Sequence, residues 1–130
     1  MELKIETGAV TLPVLRDGTA VGELVINPMD VAFANKFYTL LGTVQDAQTQ
    51  LQTALQGTQD AAQRLALLSG FCTQMRTGID DAFGSGTAQL VFGSAAAPAM
   101  LVQFFTAVAE VVSEARADKL AAYTADTDEV

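Results

Sequence analysis

The apolar residues change their period once, at Ile26–Tyr38, and that change restricts the chain to a strand-like lead-in followed by a helical body. Upstream, Val10, Leu12 and Val14 alternate with Thr11 and Pro13. Downstream, apolar residues recur every three or four positions for nearly a hundred residues. The junction carries its own start signal. Asn27 suits an N-cap, Pro28 the first helical position, and Asp30 the third, where a carboxylate reaches back to the cap amide. Ile26 and Val31 stand at the two positions of a hydrophobic staple.

The fold class that follows is mainly α (α+β): an N-terminal β-hairpin, then three long amphipathic helices forming a bundle, in one domain over residues 1–130. Residues 2–26 read as β structure, with Asp17-Gly18 as the hairpin turn. Pro13 cannot donate a ladder hydrogen bond, so its strand is expected at an edge or bulged there. Leu3 and Ile5 are candidates for a further short strand. The helical body covers 28–123. Helix one is expected from about Pro28 to Gln56, with Phe33, Phe37, Leu41, Val44, Leu51 and Leu55 on one face. Gly57 stops it, and Thr58 is a candidate cap for a second helix from Gln59 to Phe83. The stripe of that helix runs through Ala61, Leu65, Leu68, Cys72, Met75, Ile79 and either Ala82 or Phe83, widened by Leu67 and Phe71. Gly70 and Gly78 either weaken it or admit a neighbouring helix. Gly84 is expected as a left-handed terminator. Ala88–Phe92 is a short connector closed by Gly93. A third helix starts between residues 95 and 98 and ends near Tyr123, burying Leu101, Phe104, Phe105, Val108, Val111, Val112, Ala115 and Leu120. Residues 124–130 form a frayed acidic tail.

Charge and residue usage exclude several function classes. Seven basic and fifteen acidic residues leave a net charge of −8, which opposes nucleic-acid or anionic-membrane binding because phosphate neutralisation needs clustered Lys and Arg. There is no histidine, so the usual general base, metal ligand and pH switch are missing. Cys72 lies within an apolar stripe and reads as a buried structural cysteine. Asp80-Asp81 lacks the alternating oxygen ligands of a calcium loop, and Gly84-Ser85-Gly86-Thr87 lacks the lysine of a phosphate loop. The expectation is a non-enzyme with no cofactor, no bound metal and no membrane span, in an intracellular compartment.

Seven glutamines between residues 45 and 63 read as the solvated tip of a helical hairpin. The aromatic supply is generous for a small acidic domain. Either the hairpin and connector cover it, or Phe71, Phe104 and Phe105 face a partner helix or a second copy.

Two blocks resemble a small phage and prophage protein family. Ile26-Asn27-Pro28-Met29-Asp30-Val31-Ala32-Phe33-Ala34-Asn35-Lys36-Phe37-Tyr38 is similar to its F-N-P-x-D-x-x-F-x-x-K-F-Y segment, with Ile26 in place of the aromatic. The stretch Ile79–Gly93, with Ile79, Phe83, Gly84, Gly86, Phe92 and Gly93, resembles its second signature. Phe104-Phe105 and Arg116–Tyr123 are similar to its last helix. The resemblance implies a tail assembly chaperone of long-tailed phages, acting in the host cytoplasm on the tape-measure protein or another tail protein. It also implies self-association and a longer form made by frameshifting. The competing reading is a structural virion protein, a minor tail or head–tail joining subunit. A secreted helical-hairpin protein would need a Trp-x-Gly turn, and the chain has no tryptophan.

Overall fold

In the computed structural model, which describes the backbone of residues 1–128 and the side chains of residues 1–116, two strands precede four helices. β1 (Val10–Arg16) and β2 (Thr19–Ile26) pair antiparallel. Asp17 and Gly18 both have positive φ, 54° and 80°, as a tight two-residue hairpin turn demands. Val14 pairs with Gly22 and Leu15 with Ala20, which leaves Val21 as the extra residue of a bulge. The irregularity is therefore opposite Val14 and Leu15, not at Pro13. With only two strands in the sheet, Pro13 does lie on an edge strand. Leu3 and Ile5 form no strand; residues 1–9 lie outside the sheet and are exposed.

α1 spans Val31–Gln56, α2 Ala61–Phe83, α3 Thr87–Phe92 and α4 Pro98–Asp128. The fold is thus mainly helical with an N-terminal hairpin, and the short connector is a helix in its own right.

α1 begins three residues later than Asn27 and Pro28 suggest. The Asn27 side chain accepts a hydrogen bond from the Met29 amide at 3.1 Å, and the Asp30 amide donates to the Asn27 carbonyl at 3.1 Å. This Asx turn carries the backbone through 27–30. Asp30 is then the N-cap, accepting from the Ala32 amide at 2.9 Å. Pro28 is fully buried in the turn. With Asp30 as the cap, the expected Ile26–Val31 staple does not form: Ile26 is buried but Val31 is 75% exposed.

The second helix differs in the same way. Asp60, not Thr58, caps it by accepting from the Gln63 amide, while the Thr58 hydroxyl donates to the Ala54 carbonyl. Gly84 ends α2 at positive φ (123°) but with ψ 148°, away from the left-handed helical region, and the residue in that region is Gly86, the N-cap of α3. α4 continues to Asp128, beyond Tyr123 and through most of the expected acidic tail. The proposed burial of Leu120 lies outside the described side chains.

One core joins all elements. Leu24 and Ile26 of the hairpin, Phe37, Leu40 and Val44 of α1, Cys72, Met75 and Ile79 of α2, Phe92 of α3, and Leu101, Val108 and Val112 of α4 are buried together. The α1–α2 pair outruns this core. Past Ala47 on α1 and before Phe71 on α2, no residue is buried: Ala61 and Leu65 are exposed, while Leu51, Leu55, Leu67 and Leu68 are half-buried. The glutamine-rich segment is thus the projecting tip of a helical hairpin.

Candidate functional site

The residues singled out in the sequence form a continuous aromatic ladder. Phe33 stacks on Phe37 (6.0 Å between centroids), and both meet Phe83 edge-on at 5.4 and 5.9 Å. Phe83 meets Phe104 at 5.2 Å, and Phe104 in turn meets Phe92 at 5.7 Å and Phe105 at 5.4 Å. Edge-to-face geometry of this kind adds about 0.5–1.5 kcal/mol per pair beyond burial. The first block, the second block and α4 are therefore brought together by packing. Tyr38, half-exposed, tilts against Phe37 at 5.6 Å. Lys36 is exposed. Ile79 is fully buried beside the ladder.

This arrangement corrects the partner-facing assignment. Phe71, Phe104 and Phe105 are 6%, 7% and 5% exposed, so the chain itself covers most of each. The apparent aromatic surplus is largely the ladder.

Around α3 the polar contacts are structural. The Asp80 carboxylate accepts from the Ala88 amide at 2.9 Å, and the Thr87 hydroxyl donates to the Gly84 carbonyl at 2.7 Å. Asp80 is thus tied to the next helix, whereas Asp81 is exposed. Arg76 donates to the Gly93 and Ala95 carbonyls at 2.8 and 3.2 Å and to Gln89 Oε1 at 3.3 Å, with its guanidinium over the Phe92 ring. Arg16 donates to the Leu90 carbonyl at 3.0 Å. Gly93 makes room for it: a Cβ there would stand 2.9 Å from Arg16 Nη1. These arginines left no sequence signal, because all but one of their acceptors are main-chain oxygens, up to 74 residues away.

Cys72 is 2% exposed. Burial pushes its thiol above the ordinary value of 9.0, with the Arg76 charge pulling the other way. Among the described residues, no group of three His, Cys, Asp or Glu side chains is placed to hold a metal ion. Pro98–Arg116 reaches the length and mean hydropathy (1.2) of a membrane span, which amends the expectation that no such stretch exists. Its Leu101, Phe104, Phe105, Val108 and Val112 all lie in the core.

Among the described residues lie two open apolar grooves. One, of about 330 Å³, lies where α1, α2 and α4 meet: Phe71 and Phe105 line it deep inside, with Leu41, Val44, Leu101 and the exposed Val102. Gln45, Gln48 and Thr106 are its polar, uncharged members. The other, also about 330 Å³, lies between β1 and α4. Neither was legible beforehand, since a groove depends on which stripes are left uncovered.

No curated protein and no solved structure matches this sequence. A family of unknown function, DUF6673, matches residues 22–129, from β2 to beyond the end of the described helix. The chain, over most of its length, belongs to that family.

Proposed function

We propose that the protein is a non-enzymatic tail assembly chaperone of a long-tailed phage or prophage, working in the host cytoplasm. In this reading it covers apolar helices of the tape-measure protein until tail-tube subunits polymerise around it. The observation that carries the reading is the α1–α2–α4 groove, which has apolar walls and an uncharged polar rim in a protein of net charge −8. A groove walled by helices suits the apolar face of another helix, and the acidic exterior keeps the loaded complex soluble by repulsion. Both blocks that carry the phage resemblance, 26–38 and 79–93, lie within the family match. Phe71 and Phe105 contribute as the groove's inner wall, while Val102 is the accessible contact.

Co-expression with the tape-measure protein tests this. The intact chain should raise the soluble fraction of that protein, and Val102→Asp, a change at an exposed rim position, should abolish the gain while leaving circular dichroism unchanged. A folded chaperone that gives no rescue refutes the reading. Mass spectrometry of purified virions separates the structural alternative, because a chaperone is absent from finished particles and a tail or joining subunit is retained.

A further inference from the structure

At Thr106 and Ala109 the α1–α2–α4 groove passes into a shallower, more open depression on α4, whose further members are Glu110, Ser113 and Glu114. Val102, Thr106, Ala109 and Ser113 recur at intervals of four, three and four, so the two stretches follow one face of α4. The course of the opposite wall is fixed by the groove and one hydrogen bond. Leu41 and Gln48 of α1 line the groove with Leu101 and Ala109 of α4, while the Arg116 guanidinium donates to the Pro28 carbonyl, just ahead of α1, at 3.2 Å. The two helices are therefore antiparallel, and residues 110–114 lie alongside the part of α1 that precedes Leu41. Tyr38, half-exposed, is in that part, three positions from Leu41 and so on the same helix face.

Charge is unevenly placed along this path. The deep part, around Phe71 and Phe105, is lined by apolar and uncharged polar side chains, and among the described residues the only charged members of the two stretches are Glu110 and Glu114, both exposed. They stand at i and i+4, a spacing at which like charges destabilise a helix, so a cation brought beside them relieves their repulsion. Arg116, the basic residue nearest to them in sequence among those described, is turned to the Pro28 carbonyl instead. Apolar walls alone would accept a helix in either direction, whereas an acidic end distinguishes the two. At 1.5 Å per residue, Glu110 and Glu114 lie about 12 and 18 Å along α4 from Val102.

We infer that the helix taken by this groove is amphipathic with a basic end: its apolar stripe packs over Val102 and Phe105, and lysine or arginine about two to three turns further along meets Glu110 and Glu114. This rests on the groove being a helix-docking site, as proposed above, and adds the chemistry and direction of its occupant. The test uses the full chain and two labelled synthetic amphipathic helices with the same leucine–alanine stripe, one ending in lysines and the other in glutamates, with binding read by fluorescence anisotropy. The lysine peptide should bind on the order of tenfold more tightly, and the preference should shrink as salt is raised. Glu110→Gln/Glu114→Gln should remove the preference. Glu2→Gln/Glu6→Gln, which makes the same change in net charge on the exposed N-terminal segment, should keep it, and Val102→Asp should weaken both peptides. Every substituted position is exposed, so the fold is retained. Equal binding of the two peptides overturns the inference and leaves the docking reading standing. So does a preference that survives substitution of Glu110 and Glu114, or one that substitution of Glu2 and Glu6 removes as well. Binding of neither peptide overturns the docking reading together with the inference.

Discussion

Gly70 and Gly78 sit eight residues apart on α2, and the structure assigns them opposite roles that one experiment can compare. In isolation each should favour alanine, because glycine in a helix interior is about 0.8–1.0 kcal/mol less favourable. At Gly70 nothing lies within 4 Å of where a Cβ would be, so Gly70→Ala should stabilise the protein by about that full amount. At Gly78 a Cβ would stand 2.6 Å from Leu40 Cδ1, and Leu40 is a core residue of α1 with little room to move. Overpacking of this kind costs about 1–3 kcal/mol. Gly78→Ala should therefore leave stability near the parent's or lower it by up to about 2 kcal/mol. The two alanine variants should differ by about 1–3 kcal/mol in a urea titration with unchanged m-values. Shortening the obstacle should reverse the sign: in a Leu40→Ala background, Gly78→Ala should become stabilising, and the double-mutant cycle isolates that coupling. Equal stabilisation by both substitutions in the parent background would refute close α1–α2 packing at Gly78.

Phe37 is fully buried between Phe33 and Phe83, so Phe37→Ala should destabilise by about 3–5 kcal/mol, and a loss below about 1 kcal/mol in denaturant would contradict its place in the core. Arg76→Met removes the donor to three acceptors around α3; about 1–3 kcal/mol of stability should be lost, with faster amide exchange concentrated in α3 as the check. Cys72 has a raised thiol value in the folded chain, so folding favours the protonated form. Its contribution to stability is complete below pH 9.0 and is lost as pH rises through the higher folded value. Alkylation at pH 8 should be slow in the native protein and fast in denaturant, and equal rates would show that the thiol is not shielded.

The parts legible in the sequence were those set by local pattern. Asp17-Gly18 specifies its turn chemically, and the repeat of Leu68, Cys72, Met75 and Ile79 specifies a helix face. Periodicity does not report depth, however. Leu65 continues the α2 stripe perfectly well, yet it is 66% exposed, because the stripe marks a seam with α1 that runs on past the core. The start of α1 was misplaced for a different reason. Asn27 and Asp30 are both competent caps, and only the tertiary anchor of Asn27 on Thr7, together with burial of Pro28, decides that 27–30 form a turn. Phe71, Phe104 and Phe105 are nearly covered because the aromatic supply is shared across four helices at once, which no single helix's stripe reports, and Phe71 and Phe105 are reached only through the α1–α2–α4 groove. The grooves were invisible for the complementary reason: each is bounded by residues far apart in the chain.

The use of the four arginines ties these observations together. Arg16 and Arg76 bind carbonyls at and beyond the end of α3, Arg64 those of Leu55 and Thr58 at the end of α1, and Arg116 that of Pro28. Helix C-termini leave carbonyls unpaired and partly negative, and guanidinium groups satisfy them at the ends of α1 and α3. Most of the positive charge is thus committed to holding chain ends, while carboxylates such as Glu2, Glu6, Asp46, Asp81, Glu110 and Glu114 face solvent. Copies of such a molecule repel at long range, with the repulsion screened beyond about 10 Å at 0.1 M salt. Any association then has to come from short-range contacts, such as those the two apolar grooves offer. Steering by opposite charge, which would single out a partner at a distance, is available only toward a basic one. For an apolar partner, selectivity has to rest on the shape of the grooves.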